Sequence, residues 1–192
     1  MKIGFDGKRA VQNFTGLGNY SRYVIEALCK YAGENRYMLY APKERKNERL
    51  EPLQQEFKEC LSLHYPKKPM WKKLNAMWRL WGIPSELKND GVALFHGLSN
   101  ELPLNIKKAG IPSIVTIHDL IFLRLPYCYR PIDRMIYNYK FRKACENADH
   151  IIAVSECTKR DIIQFYNIPA EKITPEITVT SIIMGVLLAI IF

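Results

Sequence analysis

His118 and Asp119 close a short run, Ser113–Ile117, that follows Pro112 and is rich in β-branched residues. Such a run reads as a strand covered on both faces. In open α/β sheets the carboxyl ends of the strands border the ligand crevice, so an imidazole and a carboxylate there bring titratable chemistry to a candidate site. The competing reading is a hydrogen-bonded structural histidine, with Asp119 capping the next turn. His96 ends a second buried run, Val92–His96, and is placed like His118; the polar loop Gly97–Pro103 that follows carries Asn100. A third feature is the turn Thr15-Gly16-Leu17-Gly18-Asn19, set where a helix should begin. Glycines let backbone amides approach a ligand, and a helix N-terminus offers unpaired N–H groups to phosphate. A G-x-G pair also serves as a plain turn, and the acidic residue that a dinucleotide fold carries about twenty positions later has no convincing counterpart.

The segment Met70–Trp81 is distinctive in another way. Met70, Trp71, Leu74, Met77, Trp78 and Trp81 fall on one face of a helix, with Lys72, Lys73, Asn75 and Arg79 on the other. All three tryptophans lie here, and from Lys67 to Arg79 there are five basic residues and no acid. Tryptophan flanked by lysine suits a membrane interface, which makes Trp71, Lys72, Lys73, Trp78 and Arg79 membrane-facing candidates. The plainer alternative packs the aromatic face on the core and leaves the lysines solvated.

The elements that must position these residues follow from periodicity. Strands are expected at Lys2–Asp6, Tyr37–Ala41, Leu61–Tyr65, Val92–His96, Ser113–Ile117 and Ile151–Val154, and helices at Leu17–Tyr31, Met70–Trp81, about Ile132–Asn147, and Glu156–Tyr166 capped by Ser155. Strands alternating with helices predict an α/β fold, a Rossmann-like, doubly wound, mostly parallel sheet with helices on both faces. Gly16, Gly18, His96, His118 and Ser155 should then share one edge.

A chain of 192 residues can bury one core without disulfide or metal. The five cysteines are scattered with no C-x-x-C pair, which suggests neither a disulfide framework nor a zinc knuckle and fits a reducing cytoplasm. The first residues read as a strand, so no signal peptide is expected. A net charge of +9 implies an anionic partner: nucleic acid, an acidic membrane surface or a phosphorylated ligand. Nucleic acid is disfavoured, because no RNP aromatic box, KH-type loop or paired Cys/His finger is present.

The runs KIGFDG, TGLGNYSRY, FHGLSNELP, IPSIVTIHDLIF and ADHIIAVSECTKRDIIQFYNIPAEKI, in that order and spacing, resemble the N-terminal half of bacterial glycosyltransferase family 4 proteins over about Met1–Ile173. The resemblance implies a GT-B fold of two facing Rossmann-like domains, the N-terminal one handling the acceptor and the C-terminal one the nucleotide-sugar. It implies transfer of a sugar from a nucleoside-diphosphate donor to a glycan or lipid-linked acceptor, with retention of configuration and without a metal or other cofactor. Carried over by position, Gly16, Leu17 and Gly18 face the donor diphosphate. His118 is the active-site histidine, orienting the sugar and acceptor rather than acting as nucleophile. His96, Asn100 and Asp119 are placed on the acceptor side by loop position, and the basic aromatic segment near the acceptor mouth and the membrane. The expected location is the cytoplasm, with peripheral attachment at the inner face of the cytoplasmic membrane.

The pattern departs from the family after Ile173. Residues 174–192 hold one acid and no base, and from Ile177 no charge at all. The expectation is a domain over 1–173 and a hydrophobic tail over 174–192 arising from a frameshift or premature end, or forming a marginal membrane segment. The donor-binding half would then be missing or separately encoded, and the chain incomplete or inactive alone. The alternative is a non-catalytic Rossmann-like module that binds an anionic membrane surface or a partner protein.

Overall fold

The computed structural model describes residues 1–175. In chain order its elements are β1 Lys2–Asp6, α1 Lys8–Gln12, α2 Gly16–Tyr31, β2 Arg36–Tyr40, α3 Glu51–Glu56, β3 Leu61–His64, α4 Pro69–Lys73, α5 Asn75–Met77, a π-helical turn Trp78–Gly82, α6 Ile83–Asp90, β4 Leu94–Gly97, α7 Ile106–Ala109, β5 Ser113–Ile117, α8 Ile121–Arg124, α9 Pro131–Asn147, β6 His150–Ala153, α10 Glu156–Tyr166 and β7 Ile173–Pro175. The strands form one sheet in the order β3-β2-β1-β4-β5-β6-β7, every neighbouring pair parallel.

The near-continuous apolar strands of the sequence are this sheet's interior. Ser113–Ile117 is buried at every position, as strands covered by helices on both faces must be. Side chains alternate between two cores. Ile3, Phe5, Leu39, Leu94, Ile114 and Ile152 pack under Val24, Ile25 and Leu28 of α2. Phe95, Val115, Ile117 and Ile151 join Trp78, Leu87, Cys145 and Ile162 on the opposite face.

The chain winds outward from β1 through β2 to β3, then crosses to the other side of β1 with β4 and continues to β7. The order therefore reverses between β1 and β4, and the ligand crevice of such a sheet opens at that switch point. Register sets Phe5 of β1 beside His96 of β4 and His96 beside Ile114, so β5 runs on past the end of β4 and carries His118 further out on the same edge. The loops after β1, β4 and β5 leave the sheet together there.

The segment expected as one helix over Met70–Trp81 is broken. Leu74 leaves helical geometry at φ −102° and ψ 49°, separating α4 from α5, and the chain then makes a π-turn over Trp78–Gly82. Pro84 supplies a physical reason. It has no N–H to donate to Leu80 four residues back, and its ring crowds that carbonyl. The Leu80 carbonyl instead accepts the Leu104 N–H at 2.8 Å. Gly82 is needed as well, since a Cβ there would lie 2.6 Å from Trp78 Cδ1.

Helices α1, α6, α7 and α8 and strand β7 have no counterpart in the sequence reading. β7 holds Thr174 and Pro175 in register with Ile152 and Ala153 of β6. The rest of the tail expected over 174–192 lies outside the described residues. Among the described residues no helix is long and apolar enough to cross a membrane.

Candidate active site

His118 is the first residue beyond β5, and it is held at every polar atom of its backbone. Its N–H donates to Asn100 Oδ1 at 2.7 Å, and its carbonyl accepts the Thr158 hydroxyl at 3.0 Å. The ring is fixed too: Nε2 lies 2.9 Å from the Leu98 carbonyl, and the Tyr20 ring meets the imidazole edge-on, centroids 4.7 Å apart. A carbonyl can only accept, so Nε2 carries the proton and Nδ1 is left as the lone pair. Burial lowers the His118 pKa and nearby Arg9 adds to that, against the Leu98 carbonyl and Asp119, so the ring is neutral at neutral pH.

Asn100 makes this arrangement possible. It sits at φ 64°, a left-handed conformation that is uncommon outside glycine and that Asn tolerates. That turn points its N–H at the Thr116 carbonyl, 2.9 Å away, and its side-chain oxygen at the His118 amide. The loop after β4 is thereby fastened to the end of β5.

The turn expected to face phosphate is also built. Asn13 Oδ1 accepts from the Thr15 N–H at 2.8 Å, the Thr15 hydroxyl at 2.9 Å and the Gly18 N–H at 3.1 Å, bracing the first turn of α2. Gly18 is obligatory, because a Cβ there would lie 2.0 Å from the Asn13 carbonyl oxygen; Gly16 faces open space. Arg22 ties the turn from beneath through the Ala10 and Asn13 carbonyls, and Arg49 from the side through the Phe14 carbonyl. The N–H groups of Gly16 and Leu17 have no partner among the described residues and stay available at the positive end of the helix. An open hollow of about 460 Å³ flanks this edge, between Arg45 and Asn47 on one side and Leu63 and Tyr65 on the other.

Across the switch point lies an ion cluster. Arg79, its side chain 10% exposed, pairs with Asp6 at the end of β1 and reaches Glu101 at 3.3 Å; Lys140 reaches the same Glu101 oxygen at 3.5 Å. Burial alone would lower the Arg79 pKa, but the two carboxylates outweigh it and raise it. Lys8 and Arg9, the residues just past β1 and Gly7, are half-buried beside this cluster. No three His, Cys, Asp or Glu side chains converge as a metal donor set among the described residues.

A family model described as Glycosyltransferase Family 4 matches residues 14–175, most of the chain, including the Gly16–Gly18 turn and His118. The chain belongs to glycosyltransferase family 4. It is also similar to the O-antigen chain mannosyltransferase B of Escherichia coli, 31% identical over 81 residues; that stretch is 42% of this chain and 20% of the relative, so the similarity spans about a fifth of that protein.

Within this family 4 domain several expected site residues stand elsewhere than the sequence reading puts them. His96 is fully buried and cannot touch an acceptor. It lies between β1 and β5 beneath the helical layer, its Nε2 2.9 Å from Thr116 Oγ1 and its ring 5.8 Å from that of Phe5; burial, with His118 nearby, lowers its pKa to about 3. Asn100 has its side-chain oxygen committed to His118, so it positions that histidine. Asp119 is exposed and accepts the Ile121 N–H at 3.2 Å, capping the turn into α8. Ser155 caps α10 by accepting the Thr158 N–H at 3.1 Å, which in turn fixes the hydroxyl that holds His118.

The membrane-facing candidates divide. Trp78 is fully buried, its indole N–H donating to Glu86 at 3.0 Å, and Arg79 points inward to Asp6; the π-turn rotates both off the outer face. Trp71 is partly buried against the core, while Lys72 and Lys73 are exposed. The outward apolar side chains are Met70, Leu74, Met77 and Trp81. Sequence reasoning missed Asp6, Lys8, Arg9, Tyr20, Glu101 and Thr158. Asp6, Lys8 and Arg9 had a usable signal, since they lie at or directly after the carboxyl end of the first strand.

Proposed function

We propose that this domain is the acceptor-side half of a retaining glycosyltransferase that moves a sugar from a nucleoside-diphosphate donor to a glycan or lipid-linked acceptor, in the setting of surface polysaccharide assembly. The observation that carries the reading is the immobilised, neutral His118 at the end of β5. With Nε2–H committed to Leu98, the Nδ1 lone pair is free to accept a hydroxyl of the transferred sugar or of the acceptor. Its backbone and ring are fixed before substrate arrives, so little ordering cost falls on the transition state. The open amides of Gly16 and Leu17 take the donor diphosphate in this reading, the role for which no metal is needed. Because the donor also has to be gripped from across the cleft, a donor-binding domain, separately encoded or otherwise joined, completes the enzyme, and the chain alone turns over little.

The test combines the purified chain with the donor-binding half of a family 4 protein and follows sugar transfer. His118→Ala lowers transfer about a hundredfold or more, as loss of a positioning contact does. It costs the fold only about 1 kcal/mol, the net worth of the one hydrogen bond removed. Undiminished transfer, or a variant that unfolds, overturns the assignment.

A second reading, a module that docks on an anionic membrane surface, is favoured by the exposed Met70, Leu74, Met77 and Trp81 beside Lys67, Lys68, Lys72 and Lys73. It is compatible with the first. Flotation with anionic vesicles should show salt-sensitive binding, since each basic residue near an acidic surface contributes about 1 kcal/mol. Lys72→Glu with Lys73→Glu abolishes it; equal binding to neutral vesicles refutes it.

A further inference from the structure

We propose that Lys8 and Arg9 form an anion site in the cleft that takes a phosphate group carried by the acceptor. The inference rests on the reading of this cleft as the acceptor side of a transferase. Both residues follow β1 directly at the switch point and are half-buried. Neither side chain has an ion pair or hydrogen-bond partner among the described residues. The carboxylates that could serve them are taken: Asp6 by Arg79, and Glu101 by Arg79 and Lys140. Asp119, beyond His118, caps α8. Two partly desolvated cations thus stand beside a third, Arg79, without counter-charges of their own.

Such an arrangement is unfavourable until an anion enters. Burial first, then Arg79 and Arg9, lower the Lys8 pKa in spite of Glu101 and Asp6, and Arg9 likewise depresses His118. A phosphate group offers several acceptor oxygens and up to two charges, enough to satisfy an ammonium and a guanidinium together. Lys8 and Arg9 open α1, whereas the Gly16–Leu17 amides stand at the start of α2. Lys8 is instead grouped with Glu101 of the β4 loop and with Arg79, two residues before the exposed Trp81.

The first arm of the test titrates pyrophosphate into the full chain by calorimetry and needs no turnover. Saturable binding that weakens with salt is expected. Lys8→Gln and Arg9→Gln should each weaken it about tenfold, the usual worth of a charge-assisted contact, while Lys108→Gln, in α7 ahead of β5, changes it less than twofold. Without ligand, Lys8→Gln should melt at the same temperature or higher, because an unpaired desolvated cation has been removed. The second arm measures transfer with the donor half supplied and a phosphate-bearing acceptor: Lys8→Gln raises the KM for acceptor and leaves that for donor. Pyrophosphate binding that ignores both variants, a Lys8→Gln protein that melts lower, or a KM effect confined to the donor overturns the proposal. Absence of transfer with binding intact instead counts against the transferase reading alone.

Discussion

His96 makes the stability of this domain depend on acid in a way that can be worked out beforehand. The ring is completely buried, its Nδ1 has no partner among the described residues, and its pKa falls from 6.5 to about 3. In the unfolded chain the imidazole titrates near 6.5, so between that pH and about 3 the unfolded state binds a proton that the native state refuses. By linkage, stability from this group is fully present above pH 6.5 and is lost as pH falls toward 3. Each pH unit in that window costs about 1.4 kcal/mol, so acidification from pH 7 to pH 5 removes about 2 kcal/mol. His118, His64 and His150 are also depressed and add to the slope of the natural protein. The informative quantity is therefore a difference. His96→Gln keeps a donor for Thr116 Oγ1 and cannot titrate, whereas the other histidines stay in place. Urea unfolding at pH 7 and pH 5 should show the variant losing about 2 kcal/mol less than the parent. Equal losses, to within about 0.5 kcal/mol, would mean that His96 is hydrated or protonated in the native state, and the account of its burial would be wrong.

The two glycines of the first α2 turn should behave oppositely. Gly18→Ala forces a Cβ onto the Asn13 carbonyl and costs about 3 kcal/mol, whereas Gly16→Ala enters open space and is neutral or stabilising by up to about 1 kcal/mol; thermal melts of both decide it. Arg79→Met strands Asp6 in a buried setting and should destabilise by about 3 to 5 kcal/mol in denaturant titrations. Adding Asp6→Asn should restore part of that loss, and no restoration would show the two residues to be uncoupled.

The strands were legible because a parallel sheet covered on both faces leaves an unbroken apolar signature, and Ser113–Ile117 carries it in full. His118 was legible for the same reason, as the first polar residue past such a run. The tryptophan segment was not. Helical periodicity from Met70 to Trp81 predicts one face, but Pro84 acts from outside that window and Leu74 breaks the helix within it, so Trp78 and Arg79 turn inward. His96 misled because its place at a strand end resembles that of His118. What separates them is level: His96 pairs with Ile114 inside the sheet, while His118 lies past the last paired residue of β5. The positive φ of Asn100 has only a weak mark in the β4 loop: asparagine tolerates that conformation, but it is as common in ordinary turns, and glycine, the stronger marker, does not stand at that position.

The crowding of every tryptophan into residues 71–81 gives the domain a reporter of its own. Trp78 is sealed against Glu86, Trp71 is half covered, and Trp81 is 42% exposed, so the emission holds a blue, unquenchable part and a red part open to iodide or acrylamide. The sheet and the loops that carry His118 contribute no tryptophan light. A shift in the red part alone reports what settles on the outer surface of the segment. Any change in the blue part means that the packing around Trp78 has loosened, and with it the adjoining link from Arg79 to Asp6. One fluorescence spectrum can thus separate a surface event from a rearrangement that reaches the cleft, with no label attached.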